Sequence, residues 1–382
     1  MKAQGDLSIT LLGDIMPAGY LSEQYEDIKE RLLPKEAEPW LDSDVVFANL
    51  ECGASNAGQP LPNKIVTYCF PQALGVLSSL RVTAVNIANN HHMDYGLQAS
   101  METRRFLDGL HVLYAGAGSN AEEAHKPILI ERKSRLISIQ CFSWTLEFGE
   151  PVQAAGTSTP GVAKYDREEI LDEMRRVKRL HSPDLLALSF HWGEGKSHHA
   201  KPESVQDAHA FVDAGAGLII GHHTHCLQGY EVYKGAPIFY SLGNFLCSPY
   251  RKLPNKMLTY GNQGVHRYRW LRERKTVIAR IVFPTEGPPQ LSLLPLLQQD
   301  MPPVLTMPSG DMEKRISREI ARFSRRLRAP RYSAGAYAVY RRLDELKRVF
   351  EDAREERLRR EYFSFATLKR VTKKLFQGKS HG

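Results

Sequence analysis

Histidine, carboxylate and amide side chains recur in this chain directly after short apolar runs, and these are the side chains that bind divalent cations. The densest group is Gly221-His222-His223-Thr224-His225, which follows Leu218-Ile219-Ile220. The apolar run reads as a buried strand, and Gly221 is expected to end it, leaving His223 and His225 on the loop at its carboxyl end. Residues i and i+2 of an extended segment point the same way, so two neutral imidazoles can converge on one cation. A single His-x-His is equally the composition of a solvated loop. This chain repeats the arrangement elsewhere. Asp14 follows the run 7–12 and Gly13, Glu51 follows 45–50, Asn90 and His91 follow 82–88, and His191 follows 185–190.

The elements that must position these residues can be read from the same pattern. Apolar strand-like runs alternate with helical periodicity at 97–110, at 166–180 and around Phe211-Val212. In the second of these, Ile170, Met174 and Val177 share one face. Runs 127–131 and 136–140 form a strand pair around a basic turn, and 277–283 and 291–297 close the body. In open α/β sheets, ligands bind beyond the carboxyl ends of the strands, so five polar clusters on one edge can build one site from distant residues. Two cations about 3.5–4 Å apart can activate a water and clamp a group in transfer. Taken singly, Asp14 is a turn residue or helix cap, Glu51 a loop acid, and Asn90 and Asp94 turn formers. His92, His198 and His199 are expected on the solvated surface.

Composition bounds the rest. The chain has 382 residues, 42% hydrophobic and 25% charged, as in ordinary globular proteins. Five scattered cysteines without CxxC spacing argue against a disulfide framework and for a reducing compartment. Cys52 and Cys226, beside Glu51 and His225, read as small buried thiols. There is no signal-peptide h-region and no apolar run of membrane-spanning length, so a cytoplasmic location is expected. From Asp311 onward there are 21 basic and 10 acidic residues, more than the whole net charge of +8. That asymmetry and the proline-rich joint at 302–310 suggest a body at 6–300 and a basic helical region at 311–377. Ile316, Ile320, Phe323 and Leu327 share a helical face, and up to Arg360 the tail reads as a helical hairpin packed on the body. Leu343, Leu346 and Phe350 continue the pattern. The stretch 362–376 interleaves aromatic and apolar residues with Lys369, Arg370, Lys373 and Lys374, which suits peripheral contact with an anionic membrane or polyanion. No zinc finger, helix-turn-helix or RNA-binding signature supports nucleic acid as a partner.

In order along the chain stand Gly13-Asp14; Asn49-Leu50-Glu51; Ala88-Asn89-Asn90-His91 with Asp94 and Gly96; His191-Trp192-Gly193; Gly221-His222-His223 with His225 and Gln228; and Tyr240-Ser241-Leu242-Gly243-Asn244-Phe245. With these motifs the body resembles the CapA family, capsule and poly-γ-glutamate synthesis proteins related to the calcineurin-like metallophosphoesterases. The resemblance implies an α/β fold, a four-layer α-β-β-α metallophosphoesterase-like sandwich. It implies Asp14, Glu51, Asn90, His191, His223 and His225 as ligands of one or two divalent metal ions (Mn, Zn or Fe), with Glu51 bridging. It makes His91 the acid that protonates a leaving group and gives Asn244 a substrate contact. Met16 stands where metallophosphoesterases usually carry a further histidine, and Glu194 falls one residue earlier than is usual. The implied function is surface-polymer synthesis with a metal-dependent hydrolase acting on a phosphoester or a polymer linkage. The alternative is a non-catalytic metal-binding component that binds or guides an anionic polymer.

Overall fold

The computed structural model describes residues 5–344 other than 56–58, 63, 65, 145, 148–149, 249–272, 300–301 and 329–331. Near-continuous Val, Ile and Leu runs suit strands buried on both faces, the condition of parallel sheets. Four such strands lie side by side in the order Leu7–Met16, Val45–Leu50, Ala84–Asn86 and Leu113–Ala115, all parallel. On the other flank of Leu7–Met16 come Lys275–Phe283, Gln290–Gln298 and Leu305–Thr306, antiparallel in turn. The short strand Asn244–Cys247 pairs in parallel with the end of Leu7–Met16. A second sheet runs Tyr230–Tyr233, Ala236–Phe239, Leu218–His222, Leu185–His191, Arg135–Ser143, Ile128–Arg132.

The strand Leu185–His191 shows how the layers stack. Leu185 and Ala187 join the apolar cluster shared with the first sheet. Leu186, Leu188 and Phe190 point the other way, into a cluster with Ile170, Met174 and Val177 of helix Arg167–His181 and Phe211 of helix Pro202–Asp213. Helices Gly19–Ile28 and Gly96–Gly109 add Leu21, Tyr25 and Leu107 to the core of the first sheet. The order is helix, sheet, sheet, helix, the four-layer α/β sandwich anticipated above. Helix Arg167–His181 begins where expected, because the Asp166 carboxylate accepts the Glu168 and Glu169 amides.

Two glycines expected to end strands lie inside them. The first strand continues through Gly13 to Met16, and Leu218–His222 continues through Gly221. Their role is close approach. A Cβ on Gly13 would lie 2.0 Å from the Gly243 carbonyl oxygen, and one on Gly221 would lie 1.9 Å from that of Tyr240. All five cysteines are free and buried. Among the described residues no helix is long and apolar enough to cross a membrane.

The chain divides into two compact units, Met1–Tyr332 and Ser333–Gly382. Helix Gly310–Leu327 therefore belongs with the body, and the proline-rich joint before it carries no break in packing. Ile316, Ile320, Phe323 and Leu327 are buried, as their spacing requires. The Tyr230 amide donates to Ser324 Oγ at 3.0 Å, and Lys275 Nζ meets Glu319 at 2.7 Å. Phe323 stacks on His198 with ring centroids 4.9 Å apart. In the second unit, residues 334–344 are helical. The expectations for Leu346, Phe350 and 362–376 lie outside the described residues.

The docked helix yields a stability prediction. Phe323 is 3% exposed, so Phe323→Ala should cost about 3–5 kcal/mol. That is a large share of the roughly 5–15 kcal/mol a domain possesses. Denaturant unfolding measures it, and a midpoint equal to that of the parent would refute the docking.

Candidate metal centre

The polar residues singled out above sit at the carboxyl ends of parallel strands in both sheets. Asp14 lies within its strand rather than after it, in register between Asn49 and Asn244. Its amide donates to the Gly243 carbonyl at 2.9 Å, the contact that forbids a side chain at Gly13. Asn49 Nδ2 donates to Asp14 Oδ1 at 2.9 Å, and the His223 amide points at Oδ2 from 3.4 Å. His222 Nδ1 is 3.3 Å from Oδ1, and His225 Nδ1 is 3.6 Å from Oδ2. Burial alone would raise the Asp14 pKa. The hydrogen bonds and charges of His222 and His225 outweigh it and hold the carboxyl well below the usual carboxylate range.

Glu51 is fully buried and stands between two groups of donors. Glu51, His191 and His223 form one, with their ligand atoms all within 4.8 Å of one another. Asp14, Glu51 and His225 form the other, by the same measure. In the first group, His223 Nδ1 and His191 Nε2 are 3.0 Å apart, and Asn90 Oδ1 is 2.8 Å from the same His191 nitrogen. Burial, then the neighbouring His223, push the His191 pKa well below its ordinary value, so its imidazole is neutral and able to ligate. In the second group, burial works to lower the His225 pKa, but Glu51 and Asp14 push it up to about 10. That shift reports a demand for positive charge among buried carboxylates. Carboxylate oxygens, an amide oxygen and imidazole nitrogens converging on two adjacent points fit divalent cations.

The backbone of the histidine loop is strained. His223 and His225 have φ of +91° and +57°, left-handed values unusual for side chains of this kind. Such strain clusters where a site dictates side-chain direction.

His91 lies next to Asn90, only 5% exposed. Its Nδ1 is 2.7 Å from Asp94 Oδ2, which also accepts the Thr67 amide at 2.6 Å. Lys64 Nζ reaches Asp94 Oδ1 at 2.7 Å and donates to the Asn90 carbonyl. Asn244 is 1% exposed, with both ends of its amide engaged: Oδ1 meets His225 Nδ1 at 2.9 Å and Nδ2 donates to the Glu273 carbonyl at 3.3 Å.

Other residues support the site without having been assigned a role in it. Asn49 also lies 3.4 Å from His191 Nδ1, and Asn89 Nδ2 donates to the Leu50 carbonyl at 2.8 Å. Cys247 Sγ contacts Asn244 Oδ1 at 3.2 Å. The doubled asparagine at 89–90 was a usable sign, whereas Lys64 and Cys247 come from segments with no distinguishing pattern. Three histidines expected in solvent are buried. His92 has no exposure and bonds Ser100 Oγ at 2.7 Å. His198 bonds the Leu227 carbonyl at 2.8 Å and stacks under Phe323, and His199 meets Arg326 at 3.2 Å. His198 and His199 are covered by a helix remote in sequence, His92 by the helix that follows it. Met16 is 1% exposed and packs in the apolar core.

These features define a class: an α/β sandwich whose strand ends gather a buried carboxylate, imidazole and amide cluster. The chain belongs to the bacterial capsule synthesis protein family PGA_cap, whose family model matches residues 8–249. It is 28% identical over 321 residues to the PGA biosynthesis protein CapA of Bacillus subtilis, covering 83% of this chain and 78% of that one. It is 27% identical over 311 residues to the capsule biosynthesis protein CapA of Bacillus anthracis, covering 78% and 70%. Among solved structures, the sulfate thiohydrolase SoxB of Thermus thermophilus overlaps 82% of this chain and 48% of its own, at 12% identity and a TM-score of 0.39. The architecture above stands on this chain's own strand order.

Burial pushes the His92 pKa down to about 3. The unfolded chain, with an ordinary histidine near 6.5, therefore takes up the proton first. The stability contributed by keeping His92 neutral is fully present above about pH 6.5 and is lost as pH falls toward 3, by up to about 1.4 kcal/mol per pH unit. His92→Gln should flatten that slope. Denaturant midpoints between neutral and mildly acidic pH measure it, and parallel pH profiles would contradict the assignment.

Proposed function

We propose that this protein acts in capsule or poly-γ-glutamate surface-polymer synthesis as a metal-dependent hydrolase whose target is a phosphoester or a linkage of the polymer. The observation that carries the reading is the position of Glu51, which belongs to both donor groups at once. Asp14, Glu51 and His225 would hold one divalent ion, and Glu51, His191, His223 and Asn90 the other, drawn from Mn, Zn or Fe. Such ions make a water nucleophilic at neutral pH and polarise the group being transferred. The protein's own residues do the rest. Asp94 fixes the His91 ring through Nδ1, and Lys64 and the Thr67 amide fix Asp94. The remaining nitrogen, Nε2, is the one left to give a proton to a leaving oxygen. Asn244, with both amide ends engaged, acts on His225 rather than on substrate. The partner is an anionic polymer, and the basic tail adds a peripheral contact to an anionic membrane surface.

A second reading, metal-dependent binding of the polymer without turnover, is favoured by Met16, which fills with a thioether the place where the resemblance expects an imidazole. Metal analysis coupled to a phosphoester and polyglutamate hydrolysis screen separates the two readings. A fully loaded parent protein with no turnover on any ester or on the polymer would sink the hydrolase.

Two substitutions probe the site itself. Glu51→Gln should lower occupancy of both metals, His225→Ala that of one. Each should weaken binding by at least about tenfold, on the scale of perturbing even the outer contacts of a metal site. Calorimetric metal titration reads this, and two full equivalents in the His225→Ala protein would contradict the ligand assignment.

His91→Gln should keep fold and metal while slowing turnover by about 10²–10⁴-fold, the usual worth of a general acid. The loss should shrink for nitrophenyl esters, whose leaving groups need little protonation. Loss of metal together with activity would instead make His91 a ligand or a support.

A further inference from the structure

Away from the metal centre, helix Gly310–Leu327 borders a groove of ≈ 430 Å³ whose opposite wall is the edge of the two sheets. One stripe of the helix faces it, Ser317 and Ala321, with Arg325 and, one residue past the helix end, Arg328 following. Val232, Leu293 and Pro295 put an apolar patch on the far wall, beside Tyr230, and Val232 is 50% exposed. Glu231 also lines the groove, its Oε1 held from behind by the Tyr240 hydroxyl and by His209 Nε2, both at 2.8 Å. Arg325 and Arg328 are exposed, and neither meets a carboxylate among the described residues.

The combination is specific in its chemistry. Two planar guanidinium groups a helical turn apart match carboxylates in bidentate fashion. The apolar patch of Val232, Leu293 and Pro295 in the same groove suits a chain whose carboxylates are separated by methylene groups. A phosphate polymer has no such apolar stretch to bury. From Ser317 to Arg328 the groove runs about 16 Å at the helical rise, room for about three extended units even where each exceeds an ordinary residue of ~3.5 Å.

The helix links this groove to the site already described. Its other flank carries Phe323 and Arg326, which rest on His198 and His199 of the loop that follows His191. One helix thus forms a wall of the groove and packs on the loop that follows His191.

We propose that the groove is a binding track for a polycarboxylate chain, a second polymer site distinct from the metal centre. It rests on the functional reading above only for the identity of the polymer. The test uses the full-length protein, a fluorescent γ-glutamyl oligomer and an equally charged polyphosphate, read by anisotropy at about 0.15 M salt. The double variant Arg325→Gln/Arg328→Gln should bind the γ-glutamyl oligomer about tenfold more weakly, the loss of roughly one good ion pair. The double variant Arg105→Gln/Arg179→Gln, with the same charge change at exposed positions on other helices, should bind as the parent does. Three outcomes overturn the proposal: equal binding by parent and groove variant, equal losses in both double variants, or no binding of the oligomer by the parent. A loss as large for polyphosphate as for the oligomer overturns the polycarboxylate class. Metal content of the same proteins is read in parallel. Intact metal with lost binding keeps a failure of the groove separate from a failure of the metal-centre reading.

Discussion

Two carboxylates with no solvent exposure, Asp14 and Glu51, are what the rest of this molecule accommodates. An ion taken out of water costs several kcal/mol even after relaxation, and the cost is recovered only where opposite charge and hydrogen bonds surround it. Here the surroundings come from four directions. Asn49 arrives on the neighbouring strand, Asn244 on a short strand across the first, and His191 and His225 from the second sheet. Neither sheet contains the site. It exists where their carboxyl edges meet, so the face-to-face stacking that forms the core also sets the distance between donors.

Bringing two sheet edges together demands backbone contacts closer than side chains permit. Gly13 makes such a contact with Gly243 in the first sheet and Gly221 with Tyr240 in the second, at the two ends of the segment that crosses from one sheet to the other. The histidine loop meets the same demand differently, by placing His223 and His225 at positive φ, which costs of order 1–3 kcal/mol each. Glycine there would relieve the strain and remove the imidazoles. The chain keeps the side chains, the pattern expected where ligand direction matters more than local stability.

The strands and most helices were legible because each apolar run is bounded by polar or breaking residues, and because Ile170, Met174 and Val177 repeat at helical spacing. The convergence of Asp14, Glu51, Asn90, His191, His223 and His225 at strand ends was legible from the same boundaries together with motif order. What was not legible depends on tertiary cover. His92, His198 and His199 look like surface residues in sequence, and they are buried by Ser100 and by Phe323 and Arg326 of a helix over a hundred residues away. Gly13 and Gly221 looked like strand ends because a glycine's close contact leaves no trace in its own neighbourhood. The amphipathic face of Gly310–Leu327 was plain, but the surface it covers was not, so its charge drew it toward the tail and its packing places it with the body.

The two donor groups differ in character, and Met16 is part of the reason. One group offers two imidazoles, a carboxylate and an amide oxygen; the other offers two carboxylates and one imidazole. Beside the second, Met16 and Cys247 face each other across paired strands, both buried and both in the apolar cluster. Burial and the nearby acids push the Cys247 thiol up, so it stays protonated and contributes packing in place of a ligand charge. Under the proposed reading, the nitrogen-rich position favours zinc or iron, and the oxygen-rich one favours a harder ion such as manganese. Under that reading the shared Glu51 would couple the two positions. At the oxygen-rich position protons would compete with a cation at His225, whose pKa, despite burial, Glu51 and Asp14 push up to about 10, and not at Asp14, whose carboxyl stays ionised well below the usual carboxylate range.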